Sequence, residues 1–247
     1  MNKNIFITGG TSGIGKSLIH KLAQNKYNIF FTYFNNLRGA RLISKDLRKY
    51  KICHNFTKMD LSSIKSINKA FRKFSKQFKK LNIFINNASP NIKRKDFLKI
   101  KNEEILINIK NLLIGNIVLL KNALKLISKE NSKSHSTIIN ISSYSSISGG
   151  KDIHLYAASK SAINTLTIAL SKDSIKKKIK IFSIVPRYID TPSFRKNNNI
   201  KNSKDLIIFK KRKKIKKISS SEDFAFFIYK KFIKKLNTSQ KTIIYYD

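Results

Sequence analysis

The eight residues Thr8-Gly9-Gly10-Thr11-Ser12-Gly13-Ile14-Gly15 constrain this chain more than any other stretch. They close an apolar run, Asn4–Thr8, with the character of a buried strand, and they open a segment of helical period near Lys16. Glycines at 9, 13 and 15 permit a tight turn and a close backbone approach. The free N–H groups and partial positive charge of the following helix then suit a pyrophosphate. A glycine pattern alone says little. Placed between a first strand and a first helix, it makes Gly9, Thr11, Ser12, Gly13, Ile14 and Gly15 candidates for holding a dinucleotide.

The rest of the chain repeats that strand-helix rhythm. Strands are predicted at Asn4–Thr8, Asn28–Tyr33, Asn55–Met59, Ile83–Asn86, Thr137–Ile141, Lys180–Val185 and Thr242–Tyr246. Helices are predicted near Gly15–Gln24, Leu37–Lys49, Ser62–Phe78, Glu103–Lys129, Tyr156–Lys172 and Ser221–Lys235. Alternation of this kind specifies an α/β fold: a seven-stranded parallel, doubly wound sheet of Rossmann type, with helices on both faces. At 247 residues the expectation is one domain, residues 1–247. The Asn- and Lys-rich stretch Ser193–Ile218 breaks the rhythm where such enzymes carry a loop over the ligand crevice, and 193–218 reads as a substrate lid or as a solvated basic helix.

The formal net charge of +39 would ordinarily point to nucleic acid or an anionic surface. Here the excess is mostly lysine, spread along the whole chain and accompanied by Ile, Asn, Phe and Tyr, all residues with A/T-rich codons. Base composition accounts for that profile, and a nucleic-acid partner is not expected. One cysteine, Cys53, excludes an intramolecular disulfide and reads as a small buried hydrophobe. With no signal-peptide organisation and no membrane-length apolar run, the expectation is a soluble cytoplasmic protein without a membrane partner. No metal site is expected.

The second strand ends Thr32-Tyr33-Phe34-Asn35-Asn36, without the acid that would bind adenosine ribose hydroxyls, and Arg38 follows. That favours NADP over NAD as cofactor. Asp60 and Leu61, at the end of the third strand, are placed to meet the adenine, although Asp60 also has the position of a helix cap.

Chemistry points to Tyr156-Ala-Ala-Ser-Lys160. A spacing of four puts the phenol and the ammonium on one helix face. A tyrosine with pKa near 10 serves general acid–base work only when its surroundings adjust that value, and a neighbouring ammonium does so. Ser143, at the end of the fifth strand, is placed to hydrogen-bond the same carbonyl oxygen.

In order and spacing, Thr8–Gly15, Asp60, Asn86-Asn87-Ala88, Ser143, Tyr156 with Lys160, and Pro186 followed by Thr191 resemble the compact, single-domain branch of the short-chain dehydrogenase/reductase family. The chain is most similar in this respect to its 3-oxoacyl-acyl-carrier-protein reductases. The resemblance implies Tyr156 as general acid–base, Lys160 as the residue that lowers its pKa and holds the nicotinamide ribose, and Ser143 as the group that orients the substrate. It also implies Asn87 and Ala88 beside the adenosine ribose, Ile189 and Thr191 at the nicotinamide carboxamide, Pro186 shaping the turn beneath, and a homotetramer or homodimer.

Three positions depart from the family pattern. Ser89 and Arg187 stand where glycine is usual, and Leu112 occupies the place of a fourth-helix Asn in the proton relay. Asn111 stands beside it and needs a local bulge to point inward; Asn108 lies a turn earlier. The implied function is hydride transfer between NAD(P) and a carbonyl or secondary alcohol, with a small carbonyl compound or an acyl thioester as substrate. Lys121, Lys125, Lys129 and Lys172 offer charge to an acidic carrier. The alternatives are a dehydrogenase of a small sugar, polyol or other alcohol, and a non-catalytic relative binding RNA or an acidic partner.

Overall fold

The computed structural model describes residues 2–90, 93–128, 135–174, 178–234 and 241–247; Lys129 and Lys235 lie outside them. Seven strands, β1 (Asn4–Ile7), β2 (Asn28–Tyr33), β3 (His54–Lys58), β4 (Ile83–Asn86), β5 (Ser136–Ile141), β6 (Ile179–Pro186) and β9 (Ile243–Tyr246), form one parallel sheet in the order β3-β2-β1-β4-β5-β6-β9. All seven expected strands are therefore present. Two-residue strands β7 (Ile189–Asp190) and β8 (Ser219–Ser220) pair separately.

Apolar runs rather than alternating ones produce these strands because both sheet faces are covered. Ile5, Ile7, Ile29, Phe31, Ile83, Ile85, Ile139 and Ile141 point to one face. There they meet α1 (Gly13–Gln24), α2 (Leu37–Leu47) and α10 (Ser221–Ile228). The intervening Phe6, Phe30, Phe84 and Ile138 point to the other, against α3 (Ile64–Gln77) and α5 (Gly115–Ser128). Register places Phe6 opposite both Phe30 and Phe84, and edge-on ring contacts at 4.9 and 5.5 Å run across three strands beneath Phe71 and Phe74 of α3.

The chain leaves β1 toward β2 and β3 on one side and returns as β4 on the other. Between β1 and β4 the strand order reverses, and a crevice opens beyond their carboxyl ends. The second half adds α4 (Asn102–Ile109), α6 (Ser145–Ser148), α7 (His154–Ser174), α8 (Pro192–Asn197) and α9 (Ser203–Arg212).

Several expectations change. The predicted helix Glu103–Lys129 is α4 and α5 joined by a π-turn at Lys110–Ile114. The last helix likewise passes into a π-turn, Tyr229–Lys234. Segment 193–218 is largely helical: Thr191 caps α8, Asn202 and Asp205 form a capping box on α9, and Phe209 is buried against Tyr188 and Phe194. Cys53 is exposed, because it precedes the edge strand β3, and its Sγ accepts from Gln77 Nε2 at 3.2 Å.

Candidate active site

The crevice has a volume of about 800 Å³, the size of a site for a large organic ligand. Its first wall is the glycine turn. Gly9 and Gly13 have φ of +70° and +49°, in the left-handed region that side chains disfavour. A Cβ on Gly9 would lie 2.9 Å from Ala88 Cα, and one on Gly13 would lie 3.2 Å from Thr191. Thr11, Ser12 and Ile14 complete the wall. Gly15 is the one candidate of the glycine turn that does not line the crevice. It is buried, and a Cβ there would meet the Gly9 carbonyl oxygen at 2.1 Å, so its role is to let α1 close onto the turn.

Asn87 and Ala88 line the crevice, but their polar groups brace that turn from behind. Asn87 Nδ2 donates to the carbonyls of Thr8 at 2.9 Å and Gly9 at 3.0 Å, while Thr8 Oγ1 accepts from the backbone N–H groups of Asn87 and Ala88. The Asn87 amide is therefore a clamp between the ends of β1 and β4.

Asp60 and Leu61 line the same end, with Tyr33, Phe34 and Asn36 from the end of β2. One Asp60 oxygen, Oδ1, accepts from both the N–H and the hydroxyl of Ser62, each at 2.8 Å, in a local turn; the cap of α3 is Ser63 rather than Asp60. Arg38 is exposed on α2 and is not part of the crevice wall.

Ser143, Tyr156 and Lys160 come together at the other end. Tyr156 lies in the first turn of α7, and Lys160 follows one turn later with its Nζ 5.6 Å from the phenol ring centre. Ser143 faces Tyr156 across this end of the crevice, and Ser143 Oγ accepts from Ser145 Oγ at 2.9 Å. Burial pushes the phenol pKa up, and the Ser143 hydrogen bond pulls it partly back. Burial also pulls Lys160 down to about 8. The expected lowering of Tyr156 by Lys160 is not what sets the phenol's direction: desolvation raises it, and the group that lowers it is Ser143. At neutral pH the phenol keeps its proton.

A polar ladder beneath these residues was not legible in the sequence. Asn86 Nδ2 donates to Asn140 Oδ1 at 3.0 Å, Asn140 Nδ2 donates to Thr167 Oγ1 at 3.0 Å, and Thr167 Oγ1 donates to the Ile163 carbonyl at 2.6 Å. Ser183 Oγ donates to Asn164 Oδ1 at 2.6 Å. These buried bonds fix α7 on β5 and β6, and with it the phenol and the ammonium. Their signal is an Asn or Ser at the same level of three neighbouring strands, visible only once register is known.

The π-turn at Lys110–Ile114 brings Asn111 into the crevice wall and leaves Leu112 in the core at 3 % exposure. Asn108 Nδ2 donates to the Glu104 carbonyl of its own helix at 2.7 Å. Pro186, Ile189 and Thr191 form the floor of the same end. The other two departures, Ser89 and Arg187, line the crevice, and the Arg187 guanidinium lies 5.0 Å from the Tyr144 ring centre.

A dinucleotide fits these residues on structural grounds: the left-handed glycines form a cradle that side chains would fill, and the buried Ser142 hydroxyl on the crevice wall has no hydrogen-bond partner. Among the described residues there is no cluster of His, Cys, Asp or Glu suited to a metal ion, and no helix long and apolar enough to cross a membrane.

The family model for short chain dehydrogenases matches residues 3–202. The chain belongs to the short-chain dehydrogenase family. It is therefore an oxidoreductase. Among curated proteins it is 28 % identical over 192 residues to the 3-oxoacyl-acyl-carrier-protein reductase of Bos taurus, covering 77 % of each chain. It is 28 % identical over 193 residues to the NADP-dependent 3-hydroxy acid dehydrogenase of Schizosaccharomyces pombe, covering 76 % of this chain and 72 % of that one. Among solved structures, the L-sorbose reductase of Gluconobacter frateurii complexed with NADPH and L-sorbose matches with a TM-score of 0.87 at 18 % identity, over 100 % of this chain and 95 % of that one. This last likeness is one of fold.

Proposed function

We propose that this short-chain dehydrogenase is an NADPH-dependent carbonyl reductase. The observation that carries the reading is the convergence of Ser143, Tyr156 and Lys160 at one end of a crevice, with the Lys160 Nζ 5.6 Å from the phenol ring centre, while the crevice's other wall is a glycine turn. Gly9, Thr11, Ser12, Gly13 and Ile14 would hold the phosphates, with Gly15 shaping the turn; Asp60, Leu61 and Ala88 would lie on the adenosine side, with Asn87 as their brace. Pro186, Ile189 and Thr191 would meet the nicotinamide end. When bound, the reduced nicotinamide supplies the hydride.

The chain's own residues supply the rest. Ser143 donates a hydrogen bond to the substrate carbonyl oxygen and stabilises the charge that develops there. Tyr156 donates its hydroxyl proton to that oxygen. At neutral pH the phenol holds the proton that this step requires. Lys160, cationic below about 8, stabilises the phenolate left behind. Asn111, presented by the π-turn, completes a route for proton return. Names of relatives support the cofactor: one is an NADP-dependent dehydrogenase and another was solved with NADPH.

The same reading takes residues 1–247 as one cytoplasmic domain that works as a homodimer or homotetramer, and residues 193–218 as its lid. Pro192, Phe194 and Lys196 of α8 support the latter, since they line the crevice. Tyr156→Phe keeps the shape and removes the proton. Turnover of a ketone panel with NADPH should fall by about a hundredfold or more, with NADPH fluorescence titrating as in the parent. Full activity in that variant would refute Tyr156 as the donor.

A further inference from the structure

We infer that the substrate carries an anionic group, a carboxylate or a phosphate, on the same molecule as the reduced carbonyl, and that Arg94 recognises it. This rests on the reductase reading above and narrows it to a substrate class. A second cavity of about 420 Å³ adjoins the crevice, and the two share Arg94, Ile153 and Tyr156. Arg94 therefore stands where a substrate seated on the proton donor must extend.

Among the described residues, the Arg94 guanidinium is held by neutral acceptors. Nε donates to the Asn197 carbonyl at 3.2 Å, Nη1 donates to the Lys151 carbonyl at 2.8 Å, and Nη2 reaches Asn198 Oδ1 at 3.5 Å. These bonds join the turn before α7 to the end of α8, so the fork has a set orientation while its charge has no carboxylate partner among the described residues. Neighbouring cations differ. Lys95 is neutralised by Glu104, and Arg195 is neutralised by Asp190 through bonds of 2.6 and 2.7 Å.

The surrounding charge has the same sign. At this end the main crevice also carries Arg187 and Lys196, neither in an ion pair among the described residues. The one carboxylate lining it among the described residues, Asp60, belongs to the adenosine end. The second cavity sets Lys93, Arg94 and Lys95 against Glu104 and Asp152, which leaves it positive. A lysine-rich background scatters solvated ammonium groups anywhere; it does not supply an arginine oriented by three neutral acceptors at the junction of two cavities. A planar fork of this kind suits a carboxylate or phosphate, and the long contact to Asn198 is the one an incoming anion replaces.

The test compares kcat/KM for three carbonyl substrates with NADPH: acetoacetate, its neutral ethyl ester, and acetoacetyl-coenzyme A. Each is measured in the parent protein, Arg94→Gln and Arg94→Lys, beside NADPH affinity by fluorescence. At least one anionic substrate should exceed the ester in the parent. Arg94→Gln should then erase about fivefold or more of that preference, as for loss of one charge-assisted hydrogen bond at an open site. The loss should lie in KM, with NADPH affinity unchanged and part of the preference kept in Arg94→Lys. Loss confined to acetoacetate assigns a carboxylate, and loss confined to the thioester assigns a phosphate. A parent that favours the ester over both anions overturns the proposal even if the variants do not fold. So does an equal loss on all three substrates, which marks Arg94 as a purely structural tie between α8 and the turn before α7. Absence of both NADPH binding and turnover of any carbonyl would instead remove the reductase reading on which the proposal stands.

Discussion

Lys160 Nζ donates a hydrogen bond of 2.7 Å to the carbonyl oxygen of Ile141, the last residue of β5. The ammonium is thereby fixed at the strand end from which Ser143 also projects, and it is buried, with 8 % of its surface exposed. Desolvation brings its pKa from 10.5 to about 8.

That placement has a stability cost with a definite pH signature. The unfolded chain keeps the Lys160 proton up to about 10.5 and the folded chain only up to about 8, so between these values the unfolded state binds more protons. Stability from this group therefore rises with pH across that window. Below it the buried charge costs about 3 kcal/mol, against roughly 1 kcal/mol for the hydrogen bond to Ile141. Lys160→Met is expected to be inactive and yet to melt a few degrees higher at pH 7, with the advantage shrinking toward pH 10. Melting below the parent at pH 7 would show that the ammonium stabilises the fold.

Much of this arrangement was legible in the sequence, for reasons that particular residues make plain. Ile5, Phe6 and Ile7 are all buried, so the β1 run reads as apolar whatever else surrounds it. Tyr156 and Lys160 share a helix face by spacing alone. The polar ladder from Asn86 through Asn140 to Thr167 joins residues far apart in sequence, and nothing local distinguishes them from surface polar groups. The α8–α9 segment hid for another reason. Its caps, Thr191 and Asn202, sit in an Asn- and Lys-rich stretch that resembles a loop, while its anchor is one buried Phe209.

The end of β2 decides between the two cofactors. Phe34 is 52 % exposed at the crevice wall, in a stretch from Tyr33 to Asn36 that contains no acid. A 2′-phosphate meets no repulsion there, so NADPH should bind more tightly than NADH in fluorescence titrations. Phe34→Asp should reverse the order by adding a charge that favours ribose hydroxyls and repels phosphate. Equal affinities in the parent protein would contradict this account.

Self-association has a candidate surface. Ile114 and Ile117 are 43 % and 41 % exposed along the π-turn and α5, and Ile168 on α7 is 39 % exposed, large aliphatic groups left in contact with water. Pairing across this surface would remove them from water. Light scattering at micromolar concentration should give a dimer or tetramer, and the double variant Ile117→Lys with Ile168→Lys should shift it toward the 28.5 kDa monomer. A parent protein that is already monomeric would rule out pairing through these helices.

The π-turn at Lys110–Ile114 makes the sharpest demand, because regular helical geometry would turn Asn111 away by about 100° from the position that Leu112 takes over. One extra residue in a helical turn offsets that rotation. Accordingly Asn111 lines the crevice, and Leu112 is buried. If Asn111 carries the proton return to Tyr156, Asn111→Ala should lower turnover by about tenfold or more, with little change in NADPH affinity or melting temperature. Asn108→Ala should retain the parent rate, since its side-chain amide is bonded to the Glu104 carbonyl within its own helix. Leu112→Asn, designed to restore the family's usual residue, should instead place an amide in the core and cost about 2–4 kcal/mol with no gain in rate. Parent-like turnover and an unshifted pH profile in Asn111→Ala would show that the bulge serves packing alone. A faster Leu112→Asn would show that the inward-facing position lies one residue later than the π-turn places it.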